Sequence, residues 1–317
     1  MCESVNCSVV KVSDMLSPTS INVSVAILIC VCLVTAMANV MFLVTVWYTK
    51  RMRRTLYILL TNFFITDLVF VGISLPLNIA TFLADGPPFG YVVCYLKTYI
   101  TYGTISTSAC VLTSVAVYRL LQVCYNHIYT RISSRKWLLS VSICLWVIPV
   151  AFCAGFGGSV TYDPQRYSCA YTNISLTYIL VCCLYLPLIF TVVFCYVKIY
   201  LFTKKSRQRV EVHSIQHQTN MGAPSTSSKK RDDVVFKMML VVFMEILFFY
   251  VFPGVLNSLI NIVPPASKPR VTLAAFHLYR IRPCVNVITC ILINMELRIG
   301  LRDCLRCIRG NSINSES

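Results

Sequence analysis

Charged residues are scarce in this sequence of 317 residues. Asp, Glu, Lys and Arg make up only 13% of it and 57% is hydrophobic, whereas an ordinary soluble domain is about 25% charged. So few charges cannot cover the surface of a soluble protein of this size, so the lipid bilayer is the expected surrounding. The net charge of +16 would suggest nucleic acid on a soluble protein. Here the basic residues cluster between apolar runs, as membrane topology requires, and we expect no nucleic-acid partner.

Motifs of enzymes and metal sites are also missing. The chain has 17 cysteines, but most lie in apolar runs, where a free thiol packs as a small hydrophobic group. Cys304 and Cys307 form a CxxC pair that no second Cys or His pair answers. No catalytic constellation is present, so we predict no enzyme, no metal ion and no cofactor. We expect no cleavable signal peptide, because residues 1–23 are polar and the first apolar run is too long.

Seven apolar runs are long enough to cross a bilayer, which takes about 20 residues of helix. The predicted fold is therefore all-α, a bundle of seven transmembrane helices. The predicted spans are 24–48, 56–83, 92–124, 138–157, 174–202, 234–262 and 271–294. The predicted domains are an extracellular tail (1–23), a transmembrane domain (24–294) with a flexible cytoplasmic loop (203–233), and a cytoplasmic amphipathic helix and tail (295–317).

Lys and Arg accumulate on one side of the predicted membrane. They are frequent in the segments 49–55, 125–137 and 203–233 and after residue 295, whereas the other side has only Lys11, Arg166, Lys268 and Arg270. Because cytoplasmic loops carry the excess of basic residues, the N-terminus is predicted to lie outside. Glycosylation sequons on that predicted outer side begin at Asn6, Asn22 and Asn173.

Two cysteines are placed on the outer side beyond the N-terminal tail. Cys94 begins the third span, and Cys169 lies between the fourth and fifth. Both would face an oxidising compartment, so a disulfide is feasible. It would stabilise the fold by at most about 4 kcal/mol on the chain-entropy estimate. The alternative is two unpaired thiols.

Asp67 and Arg119 are charged residues within the second and third spans. Arg119 follows Cys94 by 25 residues, about 37 Å of helix, which puts it at the cytoplasmic face. Asp67 lies in the middle of the second span, where a carboxylate costs a few kcal/mol unless it is paired. It is a functional residue, a structural hydrogen-bond hub, or both.

Several landmarks in order resemble the rhodopsin-like (class A) G-protein-coupled receptors over nearly the whole chain. Asn39 resembles the asparagine of helix one in that family, and 62–68 (NFFITDL) resembles its NLAxxDL motif. Trp146 and Pro187 match single landmarks of helices four and five, and Cys94 with Cys169 matches the family disulfide.

Other motifs depart from the family pattern. The Asp/Glu-Arg-Tyr triplet reads Tyr-Arg-Leu at 118–120, and the CWxP motif reads YVFP at 250–253. The NPxxY motif keeps only Asn286, and the helix-five tyrosine position holds Cys195. The resemblance therefore implies a receptor whose usual activation residues are largely rewritten.

The resemblance implies a cell-surface receptor that binds a small molecule within the bundle and signals through a heterotrimeric G protein. The segments 56–59, 250–253 and 281–283 also resemble divergent fish odorant receptors, which favours a chemosensory function. The alternatives are a non-sensory receptor for a peptide, lipid or metabolite and, from another class, a channel or transporter. Thr101 stands where amine receptors have an aspartate, and Arg280 stands where opsins have a lysine, so neither of those ligand types is expected.

By position in the family, the ligand pocket is expected to be mostly apolar with a few polar groups. Its predicted lining is Thr101, Tyr102, Ile105, Ile179, Cys183, Val251, Val255, Ser258, Phe276 and Arg280. Each of these could instead pack helices together. Arg280 points to a ligand with an acidic or strongly polar group.

A cytoplasmic contact between Arg119 and Asp233 is predicted in the resting state. Arg119 lacks the adjacent acid of the family, and Asp233 opens the sixth span on the same side. Alternatively, Asp233 only suits the positive end of the helix dipole.

The segment 295–307 alternates basic and apolar residues and is predicted to lie along the cytoplasmic surface as a helix. Cys304 and Cys307 are candidates for palmitoylation there. Unmodified thiols are the alternative.

A polar core is predicted around Asp67. Arg282 sits four residues before Asn286, so both share one face of helix seven, which in the resembled family looks toward Asp67. That family commonly holds a sodium ion there, with Ser108 and Asn286 as neighbours; Asn39 completes the predicted polar core. A guanidinium in the membrane needs a partner, so we predict an Arg282–Asp67 ion pair that replaces the sodium ion. Glu245 is a rival partner, expected nearer the cytoplasm, and backbone carbonyls or a water pocket are the alternative.

Overall fold

A computed structural model describes residues 11–49, 55–88, 90–155, 160–171, 181–216, 240–241, 244–245, 247–260, 262–293, 295, 297–304 and 306. Its long helices are α1 (Pro18–Tyr48), α2 (Thr55–Leu83), α3 (Tyr91–Cys124), α4 (Arg135–Gly155), α5 (Val181–Tyr185 continuing as Leu186–Gln216), α6 (Leu247–Val251 continuing as Phe252–Ser258) and α7 (Lys268–Ile293). A short helix, Asn126–Ile132, joins α3 to α4. The segment Leu297–Cys304 is named α8 and is bent by 91° from α7.

The predicted all-α, seven-helix architecture is confirmed. Within the described chain, α1 to α5 are each long and apolar enough to cross a membrane, and α7 together with α8 forms a bent pair that also passes this test. The described part of α6 is apolar but shorter. On α4, Leu139, Ile143 and Val147 are more than half exposed. Side chains of this kind face lipid, the solvent of a membrane protein.

Three helices contain a widened π turn directly before a proline. The turns are Phe70–Ser74 before Pro76, Val181–Tyr185 before Pro187, and Leu247–Val251 before Pro253. A proline at position i cannot bond the carbonyl at i−4 and its ring clashes with that carbonyl. In each case that carbonyl lies inside the π turn, so the wider turn accommodates the proline.

The described residues form three apolar clusters, one of which, with Cys94, Val160 and Tyr171, lies under a β-hairpin. The other two lie along the bundle. One contains Phe42, Phe63 and Val115 and packs α1, α2 and α3 together at the end of the bundle near the short helix. The other contains Phe82, Tyr167 and Phe276 and joins the opposite ends of α2 and α7. Helix α3 is central, because it packs against α2, α4 and α5.

An antiparallel hairpin that the sequence did not predict covers one end of the bundle, named here the hairpin end. Its strands are β1 (Val160–Asp163) and β2 (Ser168–Tyr171). A disulfide joins Cys169 on β2 to Cys94 on α3 with a Cα–Cα distance of 5.5 Å. The predicted bridge is therefore present, and it ties the hairpin to the central helix.

The first helix begins six residues earlier than predicted. Ser17 accepts a hydrogen bond from the Ser20 amide and Pro18 follows it, which is a favourable helix start. Asn22 is consequently an exposed residue of α1 rather than of a tail. Asn6 and Asn173, the other sequon residues, lie outside the described residues.

Candidate functional site

The buried ion pair predicted in the middle of the bundle is present. Arg282 Nη2 donates to Asp67 Oδ1 at 2.7 Å, and the two side chains are 3% and 0% exposed. This distance is that of a charge-assisted hydrogen bond. The pair links α7 to α2 at a depth where each charge alone would be costly.

Glu245, which the sequence offered as a rival partner for Arg282, joins the same network. With its amide oriented so that its oxygen meets a donor, Asn286 accepts from Arg282 Nη1 at 2.7 Å and donates to Glu245 Oε2 at 2.8 Å. The Thr289 hydroxyl donates to the other oxygen of Glu245. Glu245, the rival partner for Arg282, therefore reaches the guanidinium through Asn286 while Asp67 takes the direct contact. The polar core extends from α2 through α7 to the residues before α6.

Two further residues predicted near Asp67 bond to other groups. Asn39 donates to the Thr35 carbonyl one turn back on α1, at 2.8 Å. Ser108 shares a hydrogen bond of 2.7 Å with Thr66, the residue before Asp67. Both are buried. The guanidinium of Arg282 takes the direct contact with Asp67, and the place of Asn39 and Ser108 in the polar core stays a prediction.

Toward the hairpin end, Arg280 lies at a junction of α2, α3 and α7. Its guanidinium lies 3.3 Å from the centre of the Phe276 ring, Nη1 donates to the Phe276 carbonyl at 2.8 Å, and Nη2 donates to Asn78 Oδ1 at 3.3 Å. Thr101 adjoins this junction, because its hydroxyl meets that of Ser74, one turn from Asn78 on α2, at 2.9 Å. We name Ser74, Asn78, Lys97, Thr101 and Arg280 the cationic junction.

The sequence did not predict Ser74, Asn78 or the charged member of this junction, Lys97. It is 4% exposed and lies one turn before Thr101, whose hydroxyl donates to the Lys97 carbonyl at 2.8 Å. A signal for it existed, since Lys97 is the one lysine in the predicted third span. A lysine inside a span is a functional candidate by default.

The other predicted pocket residues lie in different surroundings. Tyr102 packs against Tyr171 of the hairpin with ring centres 5.1 Å apart, and Phe276 is buried against Phe82 and Tyr167. Ile105 is half-buried, whereas Cys183, Val251 and Val255 are exposed. Ile179 and the side chain of Ser258 lie outside the described residues. For these residues a role in ligand binding stays a prediction.

The middle of the bundle also contains the helix-two and helix-four landmarks. Trp146 Nε1 donates to Asn62 Oδ1 at 3.2 Å, and Asn62 Nδ2 donates to Ser142 Oγ at 3.0 Å. These bonds fix α4 against α2. They satisfy a buried amide and an indole that would otherwise be unpaired in an apolar environment.

At the end of the bundle opposite the hairpin, Arg119 is 7% exposed and donates to Gln122 Oε1 at 2.9 Å. Asp233, its predicted partner, lies outside the described residues. On α8, Leu297 and Cys304 are 1% and 9% exposed, so the thiol of Cys304 is covered by protein. Cys307 lies outside the described residues.

Comparison with known proteins gives one consistent result. The profile of the family described as "7 transmembrane receptor (rhodopsin family)" matches residues 38–292, which is most of the chain. The chain belongs to the rhodopsin family of seven-transmembrane receptors. It is therefore a multi-pass cell-surface receptor and not an enzyme.

Individual relatives agree with this assignment. The receptor is 25% identical to the melatonin receptor type 1A of Phodopus sungorus, over 86% of this chain and 77% of that protein. It is also 25% identical to the human melatonin receptor type 1B, over 86% of this chain and 75% of that one. The crystal structure of squid rhodopsin matches with a TM-score of 0.78 at 13% identity, covering 92% of this chain and 87% of the other. That match concerns the fold alone.

Proposed function

We propose that this receptor detects a small polar or acidic molecule as a chemosensory receptor and signals through a heterotrimeric G protein. The observation that supports this best is the cationic junction. Arg280 places a charged donor against the aromatic wall formed by Phe276. An apolar wall with a few directed polar groups is typical of a small-ligand site.

The receptor's orientation is part of the proposal. Residues 12–13, which precede α1, lie at the hairpin end. Ser13 bonds the Asp85 carboxylate through its amide and its hydroxyl, both at 2.6 Å, and Val12 packs in the same cluster as Tyr167. Arg131, Arg135 and Lys136, among the described basic residues, lie at the other end, which favours an extracellular N-terminus. An antibody to an N-terminal epitope tag should stain intact cells; staining only after permeabilisation would reverse the orientation. Glycosylation at Asn6 or Asn173 is proposed on the same basis.

A non-sensory receptor is the second candidate, and the melatonin receptors among the relatives favour it. Melatonin is a neutral indole amide, so it would leave the charge of Arg280 unneutralised. The two candidates therefore differ both in ligand charge and in site of expression.

The test combines localisation and signalling. The transcript should be found in cells of a sensory epithelium, and the receptor expressed with a G protein should respond to members of a panel of organic acids, amides and alcohols. Melatonin is included in the panel. Expression confined to non-sensory tissue, or a response to melatonin alone, would contradict the chemosensory proposal.

A further inference from the structure

Two cations are buried together at the cationic junction with donors that meet no acceptor. Lys97 Nζ and Arg280 Nε are both buried, and neither has a hydrogen-bond partner within the described chain. The other donors of Arg280 are directed to the Phe276 carbonyl and to Asn78. Each of these partners is neutral, so neither neutralises a charge.

The backbone of α2 and α3 brings the two cations together. Lys97 and Thr101 are one turn apart on α3, and Ser74 and Asn78 are one turn apart on α2. The Ser74–Thr101 bond joins these faces, and the Asn78–Arg280 bond adds α7. Lys97 and Arg280 are thereby close enough for their positive charges to repel each other.

Within the described residues, the acids of the hairpin end are engaged elsewhere. Asp85 accepts from Ser13, Asp14 accepts from the Lys11 amide, and Asp163 pairs with Arg166 at 3.2 Å. Deeper in the bundle, Asp67 pairs with Arg282. Burying a cation without an opposite charge is strongly unfavourable. The two buried positive charges therefore need an anion, and the described residues do not supply one.

We propose that Lys97 and Arg280 together bind the carboxylate of a small amphipathic ligand, whose apolar part lies along the aromatic wall at Phe276. This inference rests on the proposed function and specifies its ligand class. The guanidinium Nε and the ammonium group supply one donor each, and the two oxygens of a carboxylate accept both. Because protein now covers both donors, the two side chains separate as the carboxylate enters between them.

The test uses purified full-length receptor in lipid nanodiscs. The probes are straight-chain carboxylates from hexanoate to tetradecanoate, each compared with the primary amide of the same length, and the readouts are thermal stabilisation and G-protein activation. The variants are Lys97→Met and Arg280→Met. Arg270→Met is the matched control, because Arg270 is an exposed cation at the start of the same helix as Arg280.

Carboxylates should stabilise wild-type receptor and the Arg270→Met control, and the amides should not. Lys97→Met and Arg280→Met should each weaken the apparent affinity at least about tenfold, the size expected for loss of one charged hydrogen bond. Without probe, Lys97→Met should be at least as thermally stable as wild type, because it removes an unneutralised buried charge. A lower melting temperature in that variant would indicate a structural lysine and would overturn the proposal.

The remaining outcomes separate this inference from the proposed function. Equal stabilisation by acid and amide, unchanged affinity in both variants, or no stabilisation by any carboxylate would overturn the anion site. A G-protein response to neutral compounds would leave the receptor function standing in those cases. Charge-dependent stabilisation without G-protein activation would support the anion site and contradict the signalling proposal.

Discussion

The Arg282–Asp67 pair makes a prediction that can be worked out from its geometry. Its charge centres are about 4 Å apart, and at an effective dielectric constant of about 20 the attraction is about 4 kcal/mol. Removing one partner of a buried pair typically costs about 3–5 kcal/mol, because the other charge stays buried. Arg282→Met should therefore lower the free energy of unfolding by a few kcal/mol.

The two single variants, Asp67→Asn and Arg282→Met, should lower the free energy of unfolding by different amounts. Asp67→Asn keeps an acceptor for Arg282 Nη2, and Glu245 remains connected to the guanidinium through Asn286. Arg282→Met leaves both Asp67 and Glu245 without the guanidinium. We expect Asp67→Asn to be the milder change and the double variant to be more stable than Arg282→Met. Additive losses in this double-mutant cycle would refute the coupling.

Sodium supplies the functional readout. We propose that the guanidinium occupies the place that a sodium ion would take beside Asp67, so wild-type receptor should melt at the same temperature in sodium chloride and in choline chloride. Arg282→Met should free Asp67 for a cation and become sodium-stabilised, and adding Asp67→Asn should abolish that effect. A wild-type receptor stabilised by sodium through Asp67 would refute the reasoning.

Three further predictions concern other parts of the receptor. Cys94→Ser and Cys169→Ser should each abolish surface expression or ligand response, with the double variant no worse, because the bridge tethers the hairpin to α3; normal surface expression and response of both would show it to be dispensable. Asp233→Ala should raise basal signalling if Asp233 restrains Arg119 at rest, and unchanged basal signalling in a well-expressed variant would count against that contact. Cys304 is buried, so a palmitate analogue should be incorporated at this position only if the side chain turns out of the bundle. Label that persists in Cys304→Ser would assign the acylation to another cysteine.

Elements that depend on composition were predictable from the sequence. The apolar runs defined the spans, because a bilayer admits only helices or closed barrels. The Arg282–Asp67 pair was predictable as well, since a guanidinium inside the membrane requires a partner and few acids lie at that depth. The bridge between Cys94 and Cys169 followed from the small number of cysteines on the predicted outer side.

Tertiary structure alone decided which side chains meet across helices. Glu245 reaches Asn286, and Lys97 approaches Arg280, only because of how α3, α6 and α7 are rotated and how deeply each residue lies. Helical periodicity gives the face of one helix and does not fix its rotation relative to its neighbours. The π turns before the prolines shift these faces further, because each adds a residue to a turn and changes the direction of every side chain that follows it. The sequence by itself therefore determined the membrane-spanning bundle and the Arg282–Asp67 ion pair, and the packing of the helices created the cationic junction.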